Sequence, residues 1–166
     1  MPSWPFALLA GAGCALLGLA WAGALSRRRA ALDAWARTLM RLEASLAYRP
    51  PALADWLLLG VRGETDASVC GVLETAAQRM RQDALLTLSH AAPQPRDLTA
   101  TDRAALSPLW TGLGAGDEAA QRALLEAVRA SLDAQRTQAR QAEARDHRLA
   151  VSLGVLGALA VFLFLL

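Results

Sequence analysis

Charged residues are missing from both ends of this 166-residue chain. None occurs in residues 2–25 or 149–166, whereas every arginine, aspartate and glutamate lies in the middle. At about 1.5 Å per residue, a helix of either uncharged stretch can cross a hydrocarbon core of about 30 Å. The sequence therefore predicts two transmembrane helices at these stretches, around a soluble domain at residues 26–148.

A cleaved signal peptide is the alternative for the first stretch, because the small residues 22–24 resemble a cleavage site. Three features favour a retained span instead. No basic residue precedes the apolar run, the run is long for a signal peptide, and arginines follow it directly, where positive charge opposes translocation.

Arginines flank both predicted spans on the side of the middle domain. Cytoplasmic flanks of membrane spans carry an excess of Arg and Lys. We therefore expect the domain to face the cytoplasm and both termini to face the opposite side. The arginines that set this topology are Arg27, Arg28, Arg29, Arg145 and Arg148.

Small residues recur at four-residue intervals along one face of each predicted span. Such faces allow helix backbones to approach closely within a membrane. Because alanine is abundant throughout the chain, specific packing and simple composition explain the pattern equally well. The candidate packing positions are Ala10, Cys14, Gly18, Ala22, Gly154 and Ala158.

The middle domain is rich in Ala, Leu, Arg, Gln and Glu and poor in β-branched residues, which predicts an all-α fold. Leucines recur every seven residues from Leu25 to Leu46, so the first span should continue into an amphipathic helix that ends before Pro50. The last helix should run from Asp117 into the second span without a break. The predicted architecture is thus a helical bundle flanked by two transmembrane helices. The tryptophans expected in its core are Trp35, Trp56 and Trp110.

Shorter helices should connect the two long ones. Pro51 suits the first turn of one helix, and Asp66 or Ser68 should begin another. Thr99 with Asp102 resembles a capping box that opens a third. A further short turn or helix is expected at the leucines Leu85, Leu86 and Leu88.

No constellation of catalytic or metal-binding residues appears in the sequence. The two histidines are far apart, as are the two cysteines, so no metal cluster is expected. No Gly-rich loop ends in Lys followed by Ser or Thr, so no Walker-type phosphate site is expected. The net charge of +2 is too small to indicate nucleic acid binding. The sequence predicts a non-enzymatic protein without a cofactor, and ordinary helix-surface charge at Glu43, Glu64, Asp66 and Glu74.

Three short motifs occur in order along the chain. They are Glu43 and Tyr48; Leu113, Gly114, Asp117 and Gln121; and Ser152, Leu153, Gly154 and Gly157. Their order and spacing, with a span at each end, resemble the stage III sporulation protein AB family over nearly the whole chain. Two positions depart from the family pattern: no basic residue follows the first Met, and Ala150 stands where an aromatic residue is usual.

The resemblance implies a protein of the bacterial cell membrane, in the mother cell and facing the forespore. It implies a subunit of a secretion-like channel needed for late forespore gene expression, with other stage III sporulation A proteins as partners. The soluble domain is expected to be similar to the F domain of the type II secretion inner-membrane platform protein. The implied function is a platform or adaptor without a small-molecule substrate, next to the ATPase stage III sporulation protein AA.

An alternative function is a membrane-anchored regulatory or sensor protein whose helical domain sequesters a soluble regulator. Under the platform hypothesis, the ATPase should contact the part of the domain farthest along the chain from both spans, residues 51–116. Arginines in this region either contact the ATPase or simply solvate the surface. They are Arg62, Arg79, Arg81 and Arg96.

Overall fold

In the residues that it describes, the computed structural model contains helices joined by loops and no strand, which confirms the all-α prediction. The backbone is described for residues 4–46, 52–83 and 85–165, and side chains for 23–24, 26–46, 52–83, 85–142 and 144–145. The helices are α1 (Trp4–Leu46), α2 (Leu53–Val61), α3 (Ala67–Gln82), α4 (Leu88–Ala91), α5 (Ala100–Gly112) and α6 (Glu118–Leu165).

Internal contacts divide the chain into two units. One unit is Arg28–Thr137, which contains nearly all of the buried apolar side chains. The other combines the two ends of the chain, up to Arg27 and from Gln138. The predicted domain limits at residues 26 and 148 stay a prediction.

The two predicted membrane spans fall mainly on side chains outside the described residues, apart from Gly23 and Ala24. In the described part of the chain, no helix combines the length and the apolar character needed to span a membrane. The spans at residues 2–25 and 149–166 therefore stay a prediction.

One apolar face of α1 runs through the core of the Arg28–Thr137 unit. Leu32, Leu39 and Leu46 recur every seven residues, and Trp35 and Leu42 fill the intermediate positions. All five side chains are buried. This confirms that the chain continues past residue 25 as an amphipathic helix, because a heptad repeat places its apolar residues on one face.

The N-terminal part of α6 lies antiparallel to α1 within this unit. Asp33 pairs with Arg136 at 2.6 Å, and Glu43 pairs with Arg129 at 3.4 Å, so rising numbers on α1 meet falling numbers on α6. The buried apolar residues that α6 contributes to this unit are Leu125, Val128 and Leu132.

Local capping explains where three helices begin, as predicted. The Asp66 carboxylate accepts hydrogen bonds from the backbone N–H groups of Ser68 and Val69 at the start of α3. Thr99 and Asp102 form a capping box at the start of α5. The Asp117 side chain accepts a hydrogen bond from the Ala120 N–H at 2.9 Å, just before α6. Each cap satisfies amide groups that a helix start leaves unpaired.

The segment between α3 and α4 agrees with the prediction of a short turn or helix at Leu85, Leu86 and Leu88. Leu85 lies in a turn, and Leu88 begins α4. Leu88 is buried, whereas the Leu85 side chain is 93% exposed. The α4 helix has only four residues, so the other leucines of this stretch do not share its buried side.

The tryptophans pack around α1. Trp35 and Trp56 are buried, and Trp110 packs edge-on against Trp35 with ring centroids 5.6 Å apart. The Trp56 indole N–H donates to the Ser45 hydroxyl at 2.6 Å. Core positions are thus confirmed for Trp35 and Trp56, while Trp110 is half-buried at the edge of the core.

Candidate functional site

The loop between α5 and α6 is held by one glutamine side chain. Gln121 is 5% exposed, and its Oε1 accepts a hydrogen bond from the Gly114 N–H at 3.0 Å. Its Nε2 donates to the Gly112 carbonyl at 3.1 Å and also to the Ala115 carbonyl. A single side chain therefore satisfies one donor and two acceptors of a loop that has no helix partner for them.

Glycine is required at position 114 for two reasons. Its φ of +85° is a conformation that L-residues other than glycine rarely adopt. A Cβ atom there would also lie 2.9 Å from Leu53 Cδ2, so the loop packs directly on the start of α2. The four residues of the second motif, of which the sequence predicts a role only for Asp117, thus form one structure. Leu113 is buried, Gly114 turns, Asp117 caps and Gln121 closes the loop.

The other two motifs are seen only in part. Glu43 lies on α1 and pairs with Arg129 of α6 across a partly exposed surface. Tyr48 lies outside the described residues, and so do the side chains of the third motif, at Ser152, Leu153, Gly154 and Gly157.

A buried ion pair joins α1 to α5. Arg28 Nε donates to Asp102 Oδ2 at 2.8 Å, and Arg28 Nη2 donates to Asp102 Oδ1 at 2.9 Å. The Asp102 side chain is fully buried. Burial raises the pKa of Asp102, but hydrogen bonds from Arg28 and Thr99 outweigh it and leave that pKa below its ordinary value. Asp102 therefore both caps α5 and fixes it to α1.

A second buried carboxylate anchors the loop between α2 and α3. Glu64 accepts hydrogen bonds from Arg37 at 2.8 and 3.1 Å and from Arg41 at 3.2 Å. Its side chain is 1% exposed. The bonds from Arg37 dominate over burial and, with the backbone N–H groups of Thr65 and Asp66, lower the pKa of Glu64 to about 2.

The prediction of ordinary helix-surface charge at Glu64 is therefore wrong. Glu64 lies in a loop, and its arginine partners lie 23 and 27 residues earlier, on α1. No local sequence signal marks such a contact, because its spacing fits neither a helix face nor a hairpin. Asp66 also has a structural role, as the cap of α3.

The four candidate arginines of residues 51–116 fall into two classes, although all four are exposed. Arg79 donates to the Ala91 carbonyl at 3.2 Å, and Arg81 pairs with Asp55. Within the described residues, Arg62 and Arg96 have no hydrogen-bond or ion-pair partner. These two guanidinium groups are the ones available to another molecule.

The arginines predicted to set the topology differ in their exposure to solvent. Arg27, Arg29 and Arg145 are exposed. Arg28 is partly buried in its pair with Asp102, so it has a structural role in addition to its predicted one. The Arg148 side chain lies outside the described residues, as do those at the predicted packing positions, Ala10, Cys14, Gly18, Ala22, Gly154 and Ala158.

Residues whose side chains could catalyse a reaction or bind a metal are dispersed in the described part of the chain. No three His, Cys, Asp or Glu side chains there are grouped so that they could hold a metal ion. Cys70 is half-buried, and burial raises the pKa of its thiol, which favours the protonated form. His90 is exposed, whereas the side chains of Cys14 and His147 lie outside the described residues.

Comparison with known protein families gave a match. The family described as Stage III sporulation protein AB matches residues 3–166. This range includes all three sequence motifs and both predicted spans except for residue 2. Comparisons with curated proteins and with solved structures gave no match.

Proposed function

The chain belongs to the stage III sporulation protein AB family and is thus a sporulation protein, and we propose that it serves as a platform subunit. In this proposal it is a non-enzymatic membrane protein of a secretion-like channel between mother cell and forespore. Its helical domain faces the mother-cell cytoplasm and binds the ATPase stage III sporulation protein AA.

The use of charge within the Arg28–Thr137 unit supports a scaffold role. Its two buried carboxylates, Asp102 and Glu64, each bind arginines of α1 and hold other elements to that helix. Removing one partner of a buried pair leaves the other charge uncompensated, so these contacts fix α5 and the α2–α3 loop to α1. A platform needs such rigidity, because it must hold a motor in a fixed position.

The proposed motor-binding surface is based on two arginines that have no partner within the described residues. Arg62 directly follows α2, and Arg96 lies in the loop between α4 and α5. Both lie within residues 51–116, the region expected to contact the ATPase. Arg79 and Arg81 already bind groups of this domain, so the contact is proposed at Arg62 and Arg96.

A pull-down tests the proposed partner. The full chain in a mild detergent is compared with the double variant Arg62→Glu with Arg96→Glu, using the purified ATPase. Loss of binding is expected, because two attractive contacts become repulsive. The matched control is Arg79→Glu with Arg81→Glu, which has the same change of charge at arginines with internal partners. We expect the control to bind like the native chain.

Two results would contradict this proposal at different levels. Equal binding by the native chain and the Arg62/Arg96 variant would remove this surface as the contact. No binding by the native chain would remove the ATPase as the partner. Circular dichroism at 222 nm of each variant shows whether the bundle is retained.

A reporter experiment tests the proposed topology. The turn at Leu85 is the best insertion point in the domain, because its side chain is 93% exposed. A reporter that works only in the cytoplasm should be active there, and one that works only outside it should be active at the C-terminus. The opposite pattern would overturn the orientation.

A further inference from the structure

A shallow groove lies between α1 and the N-terminal part of α6. Met40 and Ala44 of α1 form apolar surface in it, and Met40 is 42% exposed. The charged residues that line it are Glu43, Arg122, Glu126 and Arg129. The groove thus has two carboxylates and two guanidinium groups.

The charges of the groove are incompletely paired. Arg122 binds Glu118 at 3.0 Å, and Arg129 binds Glu43 at 3.4 Å. Within the described residues, Glu126 has no hydrogen-bond or ion-pair partner, although it is one turn from Arg122. Arg122 therefore pairs with Glu118 and not with Glu126. Glu126 can pair with a cationic group of another molecule.

The mixed charges discriminate between possible partners. A uniformly acidic or basic partner would meet one like charge for each opposite charge, and like charges in contact oppose binding. The best complement is a surface with the same charges in reverse order. An antiparallel copy of α6 presents this order, since a twofold contact places the same patch on both sides.

We infer that this groove is the contact between two copies of the chain. With the twofold axis between Arg122 and Glu126, Arg122 of each copy faces Glu126 of the other. Small exposed side chains on this stretch, Ala119, Ala123 and Ala127, allow the two helices to approach closely. Met40 and Ala44 add apolar surface beside the two ion pairs. The inference is independent of the proposed ATPase contact.

A charge-swap experiment tests the pairing. The full chain in a mild detergent is studied by sedimentation equilibrium over a range of concentrations, as the native chain and as the variants Arg122→Glu and Glu126→Arg. Each variant alone should associate about tenfold more weakly or worse, because both symmetry-related pairs become repulsive. The control is Glu74→Arg, a reversal at an exposed residue of α3 outside the groove, which should associate like the native chain.

Mixing the two variants gives the decisive result. A copy with Glu at 122 and Glu at 126 faces a copy with Arg at both positions, so both pairs are attractive again. An equal mixture should therefore form mixed dimers at native strength, seen by labelling one variant with a fluorophore. This rescue also shows that neither variant is misfolded.

Three outcomes would overturn the inference. They are a native chain that remains monomeric at every concentration, single variants that associate as strongly as the native chain, and weakened variants that fail to recover on mixing. The first would leave the groove to a different partner.

Discussion

The loop between α5 and α6 and the loop between α3 and α4 are held very differently. The first makes three hydrogen bonds with the Gln121 side chain, packs Gly114 against Leu53, and has a buried leucine at Leu113. The second has a hydrogen bond from the Leu85 N–H to Asp83 at 3.0 Å and leaves the Leu85 side chain in solvent. One loop is part of the packed bundle, and the other is a surface connection.

This difference explains where the sequence motif lies. Leu113, Gly114, Asp117 and Gln121 each have a defined contact or conformation in the α5–α6 loop. Changing any one of them disturbs the others, because they share one small structure. A surface connection sets few requirements on its residues, since its polar groups can bind water instead.

The largest effect should come from Gly114→Ala. A side chain at φ +85° costs about 1–2 kcal/mol, and the new Cβ displaces Leu53 as well, so unfolding should become easier by about 3 kcal/mol. Thermal unfolding followed by circular dichroism measures this change.

Gly63→Ala separates the two causes of this effect. Gly63 has a φ of +79°, but an added Cβ would meet nothing within 4 Å. Gly63→Ala should therefore cost only the conformational part, about 1–2 kcal/mol. Equal losses for the two variants would show that contact with Leu53 is unimportant.

The α2–α3 loop, which Glu64 anchors, can be compared with the other two loops by the dependence of stability on pH. The pKa of Glu64 is about 2 in the folded chain, against an ordinary value of 4.5. Its contribution is fully present above pH 4.5 and is lost as the pH falls towards 2, because the unfolded chain binds the proton first. Since Arg37 and Arg41 are partly exposed to solvent, we expect a loss of about 2 kcal/mol.

Glu64→Gln should be less stable than the native chain at pH 7 by about this amount and should lose less stability in acid. The variant should still lose some stability as the pH falls, because the pKa of Asp102 is also lowered. Urea unfolding at several pH values measures both quantities. Parallel stability curves for the two proteins would refute the role of Glu64.

Gln121→Ala should destabilise the chain by about 2 kcal/mol, because the Gly114 N–H and the Ala115 carbonyl lose their partner and the Gly112 carbonyl keeps only the Ala115 N–H. Amide hydrogen exchange at Gly114 should also accelerate. Gln78→Ala, at an exposed position on α3, is the control and should change stability little. Slow exchange at Gly114 in the variant would show that the loop is held by something else.

Asp117→Ala should cost about 1 kcal/mol through the loss of the cap on α6. Asp117→Asn keeps an oxygen that accepts the same bond and should restore most of the stability. Both are measured by thermal unfolding. If Asn proves as harmful as Ala, the hydrogen bond to Ala120 is not the cause.

The smallest effect should come from the surface loop. Leu85→Ser should change the free energy of unfolding by less than about 0.5 kcal/mol, because the side chain is 93% exposed. A loss comparable with that of Gln121→Ala would show that the two loops do not differ as described.

Short-range features could be predicted from the sequence, and long-range contacts could not. The heptad of α1, the Asp66 cap, the capping box at Thr99 and the start of α6 all depend on residues a few positions apart. The Arg28–Asp102 pair joins residues 74 positions apart, and no periodicity encodes it. Gln121 could be identified from a family motif, but its hydrogen bonds to the loop are seen only in the structure.

The order of synthesis gives the ion pairs of α1 a further meaning. The ribosome completes α1 before it makes Glu64, Asp102 or Arg136, which lie 27, 74 and 103 residues after their partners. At about 5–20 residues per second, the longest of these gaps takes about 5–20 s to translate. Until α6 is made, from Glu118 onwards, the apolar face of α1 lacks the helix that covers it. The bundle can therefore close around α1 only after this last helix emerges.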